Sequence, residues 1–178
     1  MPSSIVRLSR GSVLAIAAIA LAGCVTMTVN SYLTPGVHLR AYRTYAWAPV
    51  TPETTGDPRL DNNRFFDERV RAAVDSELAD NGFERTAEPE LLVRYHARVT
   101  QEILFERAES DGAGQERVPE LDDSATLTIE LVDARTHQLA WRGWAVGTFE
   151  GAVDSQSWME TRIDEAVERI MQLLAKNL

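Results

Sequence analysis

The sequence predicts an α+β domain: a mostly antiparallel sheet, element order β-β-α-β-β-β-α, with two helices packed on one face. Several segments alternate apolar and polar residues at the period of a half-buried strand, and two others repeat apolar residues at three- and four-residue spacing. A sheet and two amphipathic helices each carry one apolar surface. Stacking them in two layers buries both at once.

The elements follow in order along the chain. Val25, Met27 and Val29 alternate with Thr26, Thr28 and Asn30, giving a first strand. A turn at Pro35-Gly36 precedes Arg43-Thr44-Tyr45-Ala46-Trp47, rich in β-formers, with Tyr45 and Trp47 on one face. Pro49, Pro52, Gly56 and Pro58 mark a loop. Asn62 or Asn63 then caps a helix carrying Phe66, Val70, Ala73, Val74 and Leu78, which Asn81-Gly82 stops.

A long strand runs from Leu91 to Phe105, with Leu91, Val93, Tyr95, Ala97 and Val99 opposite Arg94, His96 and Arg98. Residues 108–123 are polar, acidic and glycine-containing, and read as a mobile loop. Leu127, Ile129 and Leu131 form the next strand. A turn over Asp133–His137 leads to the last one, from Leu139 through Trp141 to Phe149. Ser157 and Glu160 have the spacing of a capping box ahead of Ile163, Ala166, Val167, Ile170 and Leu174, the second helix.

The N-terminus carries an address. Arg7 and Arg10 form a positive start, and the uncharged run Val13–Ala22 has the roughly 7–15 residues of a signal-peptide core. It is shorter than the about 20 residues a spanning helix needs. Leu21-Ala22-Gly23-Cys24 closes the run and resembles a bacterial lipobox. In that setting the thiol is converted to a thioether-linked diacylglycerol, and small residues at positions 22 and 23 let the peptidase approach the backbone.

The expected organisation is therefore a leader over 1–23 and a single periplasm-facing domain over 24–178, held by acyl chains on Cys24. Two or three such chains anchor stably where one does not. Residue 25 is Val, where lipoproteins of this kind retained at the inner membrane often carry Asp, so the outer membrane is the expected destination. Ala20-Leu21-Ala22 also satisfies the rule for ordinary secretory cleavage, which would release a soluble chain beginning at Gly23.

Charge and composition narrow the partners. The full chain has a net charge of -9, and removal of residues 1–23 takes away Arg7 and Arg10 but no acid, leaving -11. Nucleic acid binds by releasing counterions onto basic side chains, so an acidic domain is not expected to take DNA or RNA. Anionic headgroups should repel it everywhere but at the anchor. Lys176 is the only lysine among 18 basic residues. With Cys24 lipidated no thiol is left for a disulfide, a zinc cluster or a nucleophile, and a domain of this size buries roughly 68–70% of its unfolded surface without such staples.

The strand after Cys24, Tyr42-Arg43-Thr44-Tyr45-Ala46-Trp47, Leu91-Leu92-Val93-Arg94-Tyr95-His96, and Leu127-x-Ile129-x-Leu131-Val132-Asp133-Ala134 leading to Leu139-Ala140-Trp141-Arg142-Gly143 together resemble one family. It is the set of bacterial lipoproteins catalogued as domain of unknown function four-one-three-six. The resemblance covers nearly all of the mature chain and implies an envelope lipoprotein with an α+β domain. It implies no activity, ligand or catalytic residue. Members often have glycine in the hairpin turn, where this chain has Thr136-His137.

Catalytic and metal signatures are sparse. His38, His96 and His137 fall in three different elements with no zinc-binding spacing, and no metal or other cofactor is expected. Gly-x-Ser-x-Gly is absent, and Ser155 and Ser157 suit a helix start better than catalysis. Glu109, Asp111, Glu116, Asp122 and Asp123 lack the calcium-loop pattern, and Gly112-x-Gly114 lacks the context of a nucleotide loop.

Parity along the strands points to one surface. Trp144 shares the parity of Arg142, opposite to Trp141, and should lie on the sheet face away from the helices with Arg94, His96, Arg98, Thr126, Thr128 and Glu130. An uncovered face of this composition suits cation–π and bidentate contacts with a partner. It equally suits cross-strand ion pairing on a solvated surface.

The candidate partner-binding residues are thus Arg94, His96, Arg98, Arg142 and Trp144, with Cys24 as the lipidation site and no catalytic residue. The expected function is a non-enzymatic binding or assembly module of the cell envelope, with an envelope protein or glycan as partner. Two other classes compete: an envelope enzyme using dispersed carboxylates or His96, and a carrier of an apolar small molecule between helices and sheet.

Overall fold

The computed structural model describes residues 27–49, 54–61, 63–104, 120–148 and 155–178. Cys24, the leader, and Glu109, Asp111, Gly112, Gly114 and Glu116 lie outside them. The chain folds as β1 (Met27–Leu33), a single 3-10 turn (Leu39–Ala41), β2 (Thr44–Trp47), α1 (Arg64–Asp80), β3 (Glu84–Arg85), β4 (Leu91–Leu104), β5 (Glu120–Asp133), β6 (Leu139–Thr148) and α2 (Gln156–Ala175). The six strands form one sheet in the order β1-β6-β5-β4-β2-β3.

That sheet is mixed, which corrects the mostly antiparallel expectation. β1, β6, β5 and β4 pair antiparallel, but β2 lies parallel to both β4 and β3. The connection explains it: α1 intervenes between β2 and β4, and neighbouring strands joined by a helical crossover run the same way. The element order also gains a strand, since Glu84–Arg85 forms β3 directly after the helix stop.

Residues 120–123 are likewise strand and not loop. Leu121 pairs with Ile103, Asp122 with Glu102 and Asp123 with Gln101, so the β4–β5 ladder continues into the acidic segment. Acidic composition lowers the expectation of a strand, but backbone pairing with a long neighbour outweighs it.

Both helices pack on one face. Leu91, Val93, Ile129, Leu131 and Trp141 point inward and are buried with Val70, Val74 and Leu78 of α1 and Val167, Ile170, Met171 and Leu174 of α2. The Arg69 guanidinium ties the helices together, pairing with Glu160 at 2.8 Å and with Asp164. Asp75 on α1 accepts hydrogen bonds from Tyr45 Oη and Trp47 Nε1, each at 2.8 Å. Asp67 accepts one from Tyr95 Oη at 2.8 Å. The three aromatic rings thereby sit under α1 with their polar atoms satisfied.

The helix ends show where local chemistry decides. Asn63 caps α1, its side chain accepting from Phe66 N at 3.1 Å, and Gly82 beyond the other end has φ +84°. For α2 the cap is Ser155, whose Oγ accepts from Trp158 N, and Ser157 lies inside the helix. The capping-box reading of Ser157 and Glu160 is corrected by two residues, because a second serine upstream offers the same acceptor.

Candidate functional site

The uncovered face of the sheet is built from every second residue of four neighbouring strands. Register places Arg94, Glu130, Arg142 and Tyr32 side by side across β4, β5, β6 and β1. The next row holds His96, Thr128, Trp144 and Asn30, and the one after it Arg98, Thr126, Val146 and Thr28. All five sequence-predicted face residues therefore share this surface.

Glu130 lies at its centre and is 3% exposed. Its Oε1 accepts from Arg142 Nε at 2.7 Å, and its Oε2 accepts from Arg94 Nε at 2.5 Å. His96 Nε2 lies 3.5 Å from the same Oε2. Burial alone would push this carboxyl up, but the hydrogen bonds from Arg142 and Arg94 outweigh burial and hold it below the ordinary glutamate range. The group stays ionised.

A fixed carboxylate between two guanidiniums orients both. The Arg94 and Arg142 side chains remain 49% and 47% exposed, so their remaining N–H edges face solvent. Two cations against one anion leave a surplus of positive charge, and Arg98 adds to it. Glu130 is the only acid on this face among the described side chains of β1, β4, β5 and β6. Guanidinium edges held in place with charge left over suit carboxylate or phosphate groups.

Arg94, His96 and Arg142 thus converge on Glu130, whereas Arg98 and Trp144 share the face without bonding to that cluster. Sequence parity located the surface with Glu130 on it and allowed cross-strand ion pairing there, and such pairing is present between Glu130 and Arg94 and Arg142; the sequence did not single out Glu130 as its centre. Tyr32, at 48% the large hydrophobic residue left exposed among those described, was missed because the first strand was expected to end near Asn30.

The other candidate residues lie apart. His38 precedes the 3-10 turn, and His137 sits in the β5–β6 turn with φ +57°. Among the described residues no group of three His, Cys, Asp or Glu side chains could hold a metal ion, and no helix is long and apolar enough to cross a membrane.

Fold and surface together define an α+β domain with helices on one side of a six-stranded mixed sheet and arginines on the other. A family model described as "Domain of unknown function (DUF4136)" matches residues 29–173, and the chain belongs to that family. No curated protein matches. Among solved structures, a PDZ domain protein from Parabacteroides distasonis ATCC 8503 is similar, with TM-score 0.51 and 17% identity. The match covers 83% of this chain and 36% of that one, so the present chain spans about a third of that relative. The PelC dodecamer from Paraburkholderia phytofirmans gives TM-score 0.46 at 13% identity, over 82% of this chain and 96% of that one. The first likeness shows the fold alone.

Proposed function

We propose that this protein is an envelope lipoprotein, anchored through Cys24 on the periplasmic side of the outer membrane. There it works as a non-enzymatic binding or assembly module through its uncovered sheet face. The carrying observation is the Glu130 carboxylate gripping Arg94 and Arg142: preorganised guanidiniums bind without first having to be ordered. The partner class is an envelope protein or glycan bearing carboxylate or phosphate groups.

The anchor reading is supported by Leu21-Ala22-Gly23-Cys24 and by the start of β1 at Met27, three residues further on. A link that short holds the domain against the bilayer surface.

Two measurements test the two parts. The mass of the N-terminal peptide of protein purified from membranes should show acylated Cys24, and an unmodified peptide beginning at Gly23 sinks the anchor. For the face, a photo-crosslinking residue replacing Thr128 should capture a partner in cells. An Arg98→Glu, Trp144→Ala double variant, which spares Glu130 and its two arginines, should abolish that capture without changing the melting temperature. Unchanged capture removes the face from the proposal.

A further inference from the structure

A partly open cavity of about 70 Å³ lies between the sheet and the helices at the Met27 end of the domain. Its mainly apolar lining includes Ala97, Leu127 and Ala145 from the sheet, Ile163 and Ala166 from α2, and Met27 from β1, with Arg98 and Arg162 as its charged members. An apolar space of this kind offers water too few partners, and its walls forgo dispersion contacts while it is empty. Against the roughly 150 Å³ of a cavity that takes benzene, it admits about two or three methylene-sized groups. That is the size of an acyl-chain end.

Position says where the chain comes from. Met27 is the first residue of β1, and the strand runs from it toward Leu33, away from the cavity. Cys24 stands three residues before Met27, so even a fully extended backbone keeps it within about 10 Å of the cavity wall. A palmitoyl-length chain covers that distance with methylenes to spare.

Building on lipidation of Cys24, we propose that the cavity seats the end of one acyl chain of the protein's own anchor. The remaining acyl chains enter the bilayer. The domain is then clamped to the membrane by a lipid that it also grips, with the cavity end of the sandwich turned toward the headgroups.

The test uses the full chain produced in cells fed a palmitate analogue with a diazirine near its methyl end. The N-terminal peptide mass establishes independently that the analogue is on Cys24, so a failure of lipidation is told apart from a failure of the cavity. After irradiation, peptides carrying Ala97, Leu127 or Ile163 should be crosslinked. Filling the space with Ala97→Leu, or with Ala166→Leu should the first variant not fold, should remove most of that crosslink. Acylated protein whose crosslinks go only to bilayer lipid or to residues outside the cavity overturns the proposal. So does a chain beginning at residue 25 that gives the same crosslinks with the free analogue, because the occupant would then be a free lipid.

Discussion

The Trp141 indole fills the space that a side chain at residue 143 would need. A Cβ on Gly143 would collide with Trp141 Cη2 and stand 2.6 Å from Ile170 Cγ2. The fully buried tryptophan and α2 are thus brought onto the sheet by the absence of one atom on β6.

Gly143→Ala should therefore destabilise the domain although alanine suits a strand better than glycine. Overpacking of this kind costs about 1–3 kcal/mol. Chemical denaturation checks it; a neutral result would mean that α2 can shift outward freely.

Glu130→Gln should cost about 1.5–3 kcal/mol at neutral pH, the range for hydrogen bonds to charged groups. The folded-state acidity of Glu130 is stronger than that of an unfolded glutamate, so its stabilisation is complete above the unfolded value of about 4.3 and fades as pH falls through the lower folded value. The gap between wild type and variant should accordingly narrow below about pH 4. Denaturant midpoints across an acid series provide the measurement.

Tyr45 and Tyr95 should resist ionisation until the protein unfolds. Burial first, then hydrogen bonding to Asp75 and Asp67 respectively, pushes both hydroxyls well above the ordinary tyrosine value. Unfolded tyrosine begins to lose its proton near pH 10, so stability contributed by the neutral hydroxyls is present below that value and falls as pH rises past it. An alkaline absorbance titration should show these residues ionising together with the loss of secondary structure. A smooth titration of every tyrosine in the folded state would contradict the buried placement.

His137→Gly should stabilise the protein by about 1 kcal/mol. His137 holds φ +57° in the β5–β6 turn, a conformation that costs a residue with a Cβ and not glycine. The turn is otherwise fixed by Asp133, whose Oδ1 accepts from the backbone N–H of Arg135 at 3.0 Å and of Thr136 at 2.7 Å. Thermal unfolding of the variant gives the answer, and a lowered midpoint would show that the His137 side chain matters more than its backbone.

Much of this was legible locally. The caps at Asn63 and the stop at Gly82, the apolar stripes of both helices and the opposite facing of Trp141 and Trp144 follow from short-range patterns, because helix and strand periods fix which side chains share a face. Leu21-Ala22-Gly23-Cys24, on which the proposed anchor rests, is likewise a local pattern in the sequence.

Strand direction, by contrast, is a property of the connection and the neighbour. Nothing within Thr44–Trp47 says that it will lie parallel to β4, and nothing within Glu120–Asp123 says that Gln101–Leu104 will be there to pair with it. Glu130 in isolation is one acid in a strand. It becomes the hub of the uncovered face only when antiparallel register sets Arg94 on one side of it and Arg142 on the other, since a buried carboxylate stays ionised only where charged or hydrogen-bonding partners meet it, and here those partners come from the two neighbouring strands.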